Sequence, residues 1–365
     1  MEKNNKVRVL AFYLPQFHPI PENDKWWGKG FTEWTNVGKA KPLFKGHYQP
    51  KVPADLGYYD LRIPEVRQAQ ADLAKESGIE GFCYWHYWFG NGKRLLEMPF
   101  NEVLKSGEPD FPFCLAWANH SWEDKLFNKE GSRRVLIEQK YLGDDDYIAH
   151  FNCVLPAFKD QRYLCVDEKP IFMIYAPLNI PDIKHFIELW QELAKRNGLK
   201  GIHFIAHTDV ESQYEYLKEV GFDGINIVRL FDFFKKDYSL LERMYVKLMR
   251  ILFKRGRVVE YNRAAKFFVG EKEKQKDCYP TIIPNWDHSP RSGKSGHILY
   301  KSTPLNFKGH VKNTFLHIKS KPIENRIVFL KSWNEWGEGN YMEPDLKFGI
   351  GYLNALKEAI SEVFS

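Results

Sequence analysis

The sequence predicts an α/β protein of the (β/α)8 TIM-barrel type, one domain over residues 1–365, and three observations predict it. Eight short apolar runs are hydrophobic on both faces rather than alternating, the pattern of parallel strands buried between helices. Stretches of helical period separate many of these runs. No composition shift and no Ser/Gly/Pro-rich linker divides the chain. An open doubly wound sheet is the alternative arrangement of the same units.

The runs are VRVLAFYL (7–14), GIEGFCYW (78–85), FPFCLAW (111–117), KPIFMIY (169–175), GIHFIAH (201–207), GFDGINIV (221–228), CYPTIIP (278–284) and RIVFLKSW (326–333). Two intervening helices have legible ends: one starts at Pro64 and stops at Gly78, the other runs from Pro181 to Gly198. A last helix, GYLNALKEAISEVFS, finishes the chain. Two excursions break the regularity. Residues 15–59, rich in Trp, Gly, Pro and Lys, lack helical periodicity and read as a long loop between the first strand and its helix, over the C-terminal mouth where barrel active sites form. Residues 231–276, between strands six and seven, read as a basic helical insertion: either a solvated helix pair or a surface for anionic lipid, lipid-linked sugar or acidic glycan.

Composition narrows the function. Hydrophobic residues at 44% and charged residues at 27% are those of a globular protein with a core, which excludes wholesale disorder. Eleven Trp and nineteen Tyr are rings with a polar tip, the surfaces on which sugars stack. The amino-terminal apolar run is too brief for a secretory signal core, and no run is long enough to span a membrane, so a cytoplasmic location is expected, with peripheral membrane contact through 231–276 as its qualification. Cys83, Cys114, Cys153, Cys165 and Cys278 are scattered and read as reduced thiols without zinc-ligand spacing. There is no G-x-x-x-x-G-K-[ST] or G-x-G-x-x-G loop and no nucleic-acid motif. No cofactor and no metal are expected, nor a nucleic-acid partner; the partner is an oligo- or polysaccharide.

The ends of barrel strands give the candidate site. They are YWHYW (84–88), WANHSW (117–122), HTD (207–209), PNWDH (284–288) and WNEWGEG (333–339). Trp26, Trp27, Trp34, Trp85, Trp88 and Trp122 are candidate stacking walls; His86, Asn119, His120, Asn285, Asp287 and His288 are candidate donors and acceptors for hydroxyls. Glu33, Tyr87, Trp117, His207, Trp286, Trp333, Asn334 and Trp336 complete the substrate-binding set. Glu335 and Glu338 are the catalytic pair. Three apart in an extended strand they would point to opposite faces, so a bend is required, and Gly337 and Gly339 permit one. Trp333 and Trp336 are expected to desolvate one carboxyl and raise its pKa while the other stays ionised, the separation that acid and base roles need. Retaining glycosidases hold their carboxyl groups about 5–5.5 Å apart and inverting ones about 6.5–9.5 Å, a gap that sequence does not give.

The segments AFYLPQFHPIPENDKWWGKGFTEWTNV, GFCYWHYWFGNGKRLLE, WANHSW and SWNEWGEGNYMEPD together resemble the WbsX-type proteins of bacterial surface-polysaccharide loci, which are similar to glycoside hydrolase family 99, the endo-α-mannosidases. The resemblance implies a retaining, endo-acting, metal-independent barrel working through a 1,2-anhydro sugar. It makes Glu335 the base that takes the 2-OH proton and Glu338 the acid/base on the leaving oxygen. Gly337 stands where the mannosidases often carry a bulkier residue. A glycosyltransferase of O-antigen or capsule assembly, and a non-catalytic glycan-binding barrel, are the alternatives.

Overall fold

The computed structural model describes residues 7–124, 134–253 and 256–364. Eight parallel strands close on themselves: β1 (Arg8–Tyr13), β2 (Gly81–His86), β3 (Phe113–Trp117), β4 (Lys169–Ile174), β5 (His203–Thr208), β6 (Gly224–Ile227), β7 (Cys278–Ile282) and β8 (Ile327–Leu330). Closure is made where β3 meets β4, with Leu115 beside Phe172 and Trp117 beside Ile174. The strands are almost wholly buried, as apolar-on-both-faces runs require when helices cover the outside and side chains fill the inside. All eight sequence runs become barrel strands, and the fold is the (β/α)8 barrel. The helices after β1, after β4 and at the end of the chain are Pro64–Glu76, Ile183–Arg196 and Gly351–Phe364. The second of these starts at Ile183, two residues beyond the expected Pro181, and Asp182 caps it by accepting from the His185 N–H at 3.3 Å.

The segment after β1 departs from the expected structureless loop, for it contains the helices Pro21–Trp27 and Glu33–Gly38. Seven and six residues complete fewer than two turns, too few for a 3.6-residue period to register in sequence. Its path is set by polar staples. Asn334 donates to the Leu14 carbonyl at 3.0 Å and accepts from the Leu14 N–H at 2.8 Å. Farther along, His47 and Gln49 reach the Asp287 carboxylate at 2.8 and 2.6 Å, and the Lys51 ammonium donates to the Gly339 carbonyl at 3.0 Å.

The insertion between β6 and β7 is anchored by Arg229, whose buried guanidinium pairs with Glu273, Glu211 and Asp232. It is not a solvated helix pair. One long helix, Leu240–Phe253, is followed by a strand, Val258–Glu260, that pairs in parallel with Ile298–Tyr300.

Two acidic residues of SWNEWGEGNYMEPD serve the fold. Asp345 accepts from the Tyr341 hydroxyl and from the backbone N–H groups of Lys347 and Phe348. Glu343 is buried beside the helix Pro64–Glu76 and accepts from Tyr59, Gln70 and the Trp336 indole. Burial pushes the Glu343 carboxyl up to about 7. The folded protein therefore keeps a proton that the unfolded chain has already lost above its ordinary value of 4.5, so this group's contribution to stability falls as pH rises from there through about 7. Glu343→Gln, neutral throughout, should lose less stability between pH 5 and pH 8 than the parent, read as urea midpoints; equal losses in both proteins would refute the assignment.

Candidate active site

Beyond Leu330 the chain leaves the barrel and turns sharply. The Ser332 hydroxyl accepts from the N–H groups of Asn334 and Glu335 at 3.1 and 2.9 Å, which ends the strand. Asn334 and Glu335 then pair antiparallel with Tyr341 and Asn340, and a 3-10 turn over Trp336–Glu338 closes this small hairpin. Gly339 takes the left-handed conformation at φ +58°, with Asp287 Cβ 2.7 Å from where a side chain would begin. Both glutamates consequently face the same partner.

That partner is Arg291, from the short helix Ser289–Ser292 after β7. Its guanidinium donates to Glu335 Oε2 at 2.9 Å, to Glu338 Oε1 at 2.6 Å and to Glu33 Oε2 at 3.1 Å. Three carboxylates from the β1 and β8 segments thus share one cation from the β7 segment. The side chains of Glu335 and Glu338 remain 13% and 17% exposed, so a ligand can touch both.

Their electrostatics differ. Burial, together with the negative charges of Glu338 and Glu33, raises the Glu335 carboxyl to about 8 despite Arg291. Burial acts on Glu338 in the same direction, but Arg291 at hydrogen-bond distance, with His288 and Lys331 near, outweighs it and holds that carboxyl below the ordinary range. The two environments thus favour the protonated form of Glu335 and the ionised form of Glu338. Trp333 and Trp336 were expected to desolvate one of the pair; instead both rings are buried, Trp333 against Phe82 and Trp336 stacked on Tyr341 at 3.7 Å.

Gly337 explains the close approach of Glu33. A Cβ there would sit 2.2 Å from Glu33 Oε2 and 2.9 Å from Arg291 Nε. Gly337→Ala should push Glu33 off Arg291 and destabilise the protein by about 1–3 kcal/mol, the usual cost of overpacking. Unchanged urea midpoints would show that Glu33 yields without loss.

Around the carboxylates, Tyr87, Tyr175, His207 and Trp85 supply rings. The Tyr87 hydroxyl feels the charges of Glu335, Glu33 and Glu338 after the larger effect of its own burial, and its pKa is raised. Tyr175, 37% exposed, stacks on His207 at 5.0 Å and meets Trp85 edge-on at 5.5 Å. His207 is buried and pushed down to about 3 by desolvation, so it is a neutral ring at physiological pH. His120 packs against Tyr175, while Trp26 and Trp122 pack on each other at 5.9 Å. Trp27 and Trp34 belong to the first segment, Trp27 against Phe31 and Trp34 against Phe17, Tyr59 and Trp336. Asn285, Trp286 and His288 are half-buried on the β7 segment, with His288 Nε2 3.7 Å from Glu338.

Several expected substrate contacts are corrected. His86, Trp88 and Trp117 point outward into the helix layer, where His86 meets His150 at 2.9 Å, Trp88 stacks on His150 at 4.8 Å and Trp117 donates to the Trp88 carbonyl. Side chains alternate along a strand, so Trp85 and Tyr87 face the mouth and their neighbours His86 and Trp88 do not. Asn119 is fully buried and stapled to both backbone groups of Ala176. Asn334 is held by Leu14, and Asp287 by His47, Gln49 and the Ser289 N–H. Trp333 and Trp336 are core residues.

Three residues at the mouth escaped sequence reading. Arg291 lies in SPRSGKSG, a polar stretch that looks like a solvated loop. Tyr175 follows the last residue of β4, at a strand end without the polar and aromatic cluster that marks the others singled out in sequence. Lys331, whose ammonium sits over the Trp286 ring at 5.8 Å and whose charge reaches both glutamates, reads in sequence as a strand-end charge.

A cavity of about 500 Å3 adjoins the carboxylates across Gly339 and Asp287, lined by Tyr48, Lys51, Asn285, Tyr300, Tyr341 and Lys347 among others.

Among known proteins the chain is similar to two WxcX proteins, from two strains of Xanthomonas campestris pv. campestris, each 37% identical over 356 residues. The match covers 97% of this chain and 49% of theirs, so the chain spans about half the length of these curated relatives. Among solved structures, a glycoside hydrolase-like protein superposes with a TM-score of 0.63 at 14% identity, covering 99% of this chain and 95% of that one. A GH99 endo-alpha-mannosidase from Bacteroides thetaiotaomicron, in complex with bis-tris-propane, gives 0.60 at 13% identity, covering 98% and 97%. These likenesses establish a shared fold. The family model described as Glycosyltransferase WbsX matches residues 9–356, and the chain belongs to the WbsX family.

Proposed function

We propose that the chain is a glycan-active enzyme, a retaining endo-type glycoside hydrolase that cleaves an internal α-linkage of a bacterial surface polysaccharide or related glycan. The observation that carries this reading is the convergence of Glu335 and Glu338 on one guanidinium at the mouth of a barrel, with proton affinities shifted in opposite directions and a wall of rings beside them. One fork bridging both carboxyl groups favours the closer spacing of retaining enzymes.

In the proposed reaction Glu335 removes the proton from the sugar 2-OH as O2 attacks C1. Glu338 protonates the leaving oxygen and then takes a proton from the water that opens the 1,2-anhydro sugar from the opposite face, while Glu335 returns its proton to O2. Two inversions at C1 give net retention. The shifts in the substrate-free site run opposite to what the first step needs, so in this reading substrate entry moves the proton to Glu338 and loosens its Arg291 contact. Tyr175 and Trp85 provide the stacking faces, and His120 and His288 the polar groups for hydroxyls.

Incubating the protein with a panel of bacterial surface polysaccharides and α-linked oligosaccharides, followed by anomeric proton NMR and mass spectrometry, tests the reading. The expected result is chain shortening from within, with the new reducing end first appearing in the α configuration. The family description favours a second reading, transfer of a sugar from an activated donor. Calorimetric binding of a nucleotide sugar, with product only when that donor is present, would replace hydrolysis by transfer.

A further inference from the structure

The helix Leu240–Phe253 turns its apolar side chains away from the protein. Leu240, Leu241, Met244, Tyr245, Leu248, Ile251 and Leu252 are all between 52% and 77% exposed. At 100° per residue they form one continuous stripe about 140° wide. A helix on a water-facing surface arranges the reverse, with its apolar stripe toward the core. Here the inward side is held instead by Met249, which with Leu43, Phe44, Val258 and Ile298 lines a cavity of about 430 Å3. An exposed stripe of seven large side chains is a surface made to be covered.

Charge decides what covers it. Between residues 235 and 257 the sequence has eight Lys or Arg against two acidic residues, a local excess of +6 that equals the formal net charge of the whole chain. On the helix, Arg243 and Lys247 lie along one flank of the apolar stripe, and the exposed Lys235 and Lys236 precede it. Glu242, the one acidic residue of the helix, is paired with Arg263. An apolar face bordered by cations is the pattern of a helix that lies in the plane of a membrane interface, its side chains among the acyl chains and its cations against anionic headgroups. Association between protein subunits has no need of so one-sided a charge.

We infer that Leu240–Phe253 is an interfacial anchor that docks the protein on an anionic phospholipid bilayer. The insertion follows β6 at the C-terminal end of the barrel, so the docked surface lies on the same side as the carboxylates. No helix among the described residues is long and apolar enough to cross a membrane, and the anchor lies on the surface without spanning it. The inference is independent of the reaction proposed above.

Co-sedimentation with vesicles tests it, using the full chain and vesicles of phosphatidylcholine alone or with phosphatidylglycerol added. Binding to the anionic vesicles is expected at low salt, weakening as salt is raised, with little binding to phosphatidylcholine alone. Replacing exposed apolar groups by Leu241→Ser, Leu248→Ser and Ile251→Ser together should weaken partition about tenfold or more while leaving the circular dichroism spectrum unchanged. Lys247→Glu should weaken it by several-fold, since each basic residue near an anionic surface contributes about 1 kcal/mol. Absence of binding to anionic vesicles, equal binding to both compositions, or full binding by the triple variant would each overturn the inference. A concentration-dependent dimer in sedimentation velocity, abolished by the triple variant and unaccompanied by vesicle binding, would assign the stripe to a second copy of this chain instead.

Discussion

Glu338→Gln should lower the rate of glycan cleavage by about 1,000-fold or more, the range in which a positioned acid/base acts. The amide keeps the size of the carboxyl and its oxygen can still accept from Arg291, so melting should shift by no more than a degree or two. Substrates with an activated leaving group separate the roles. Such a group departs without protonation, so under the proposed assignment Glu338→Gln recovers much of its first-step rate on them and Glu335→Gln does not. The substrate-free site supplies the competing outcome, because burial there favours the protonated form of Glu335. If Glu335→Gln is the variant that activated substrates rescue, the two roles are exchanged. A fully active Glu338→Gln enzyme would eliminate the mechanism.

Arg291→Met should be the most destabilising single change at the mouth. It strands the carboxylates of Glu33, Glu335 and Glu338 together in a largely buried site, and breaking a buried ion pair from one side costs about 3–5 kcal/mol. The sign of its pH dependence follows. Without the cation the carboxyl pKa values in the folded state rise above their unfolded values, so the variant is closest to the parent at low pH and falls away as pH rises through neutrality. Urea midpoints at pH 5 and pH 8 measure this. Arg291→Lys should restore part of the stability but not the activity, because a point charge cannot grip three carboxylates as a planar fork does. A penalty independent of pH would mean that packing, and not charge, is what Arg291 contributes.

Much of the barrel was legible because burial on both faces leaves a local signature: each strand is a run of apolar residues, whatever its neighbours. The catalytic candidates were legible for a related reason. Two glutamates among glycines and rings immediately after a buried strand have few purely structural uses, and the left-handed turn at Gly339 is a property of the backbone itself, whereas Gly337 answers to the approach of Glu33. The rings were less legible. YWHYW reads as five polar or aromatic groups at a strand end, yet the two-residue period of the pleat sends Trp85 and Tyr87 to one side and His86 and Trp88 to the other. Composition cannot tell which set faces the mouth. Asn119, Asn334 and Asp287 likewise look like ligands for hydroxyls until Ala176, Leu14, His47 and Gln49, partners 57 to 320 residues away, come into view.

The amino-acid sequence alone determined the eight strands, the position of the carboxylate pair and the basic character of the insertion, because each is written in neighbouring residues. Tertiary structure decided the rest. Arg291 meets Glu33 across 258 residues, Glu338 across 47 and Glu335 across 44, and those meetings, with burial, shift the carboxyl pKa values apart. The outward turn of Leu240–Phe253 is decided in the same way, since helical periodicity fixes the apolar stripe but the rest of the fold fixes where the stripe points.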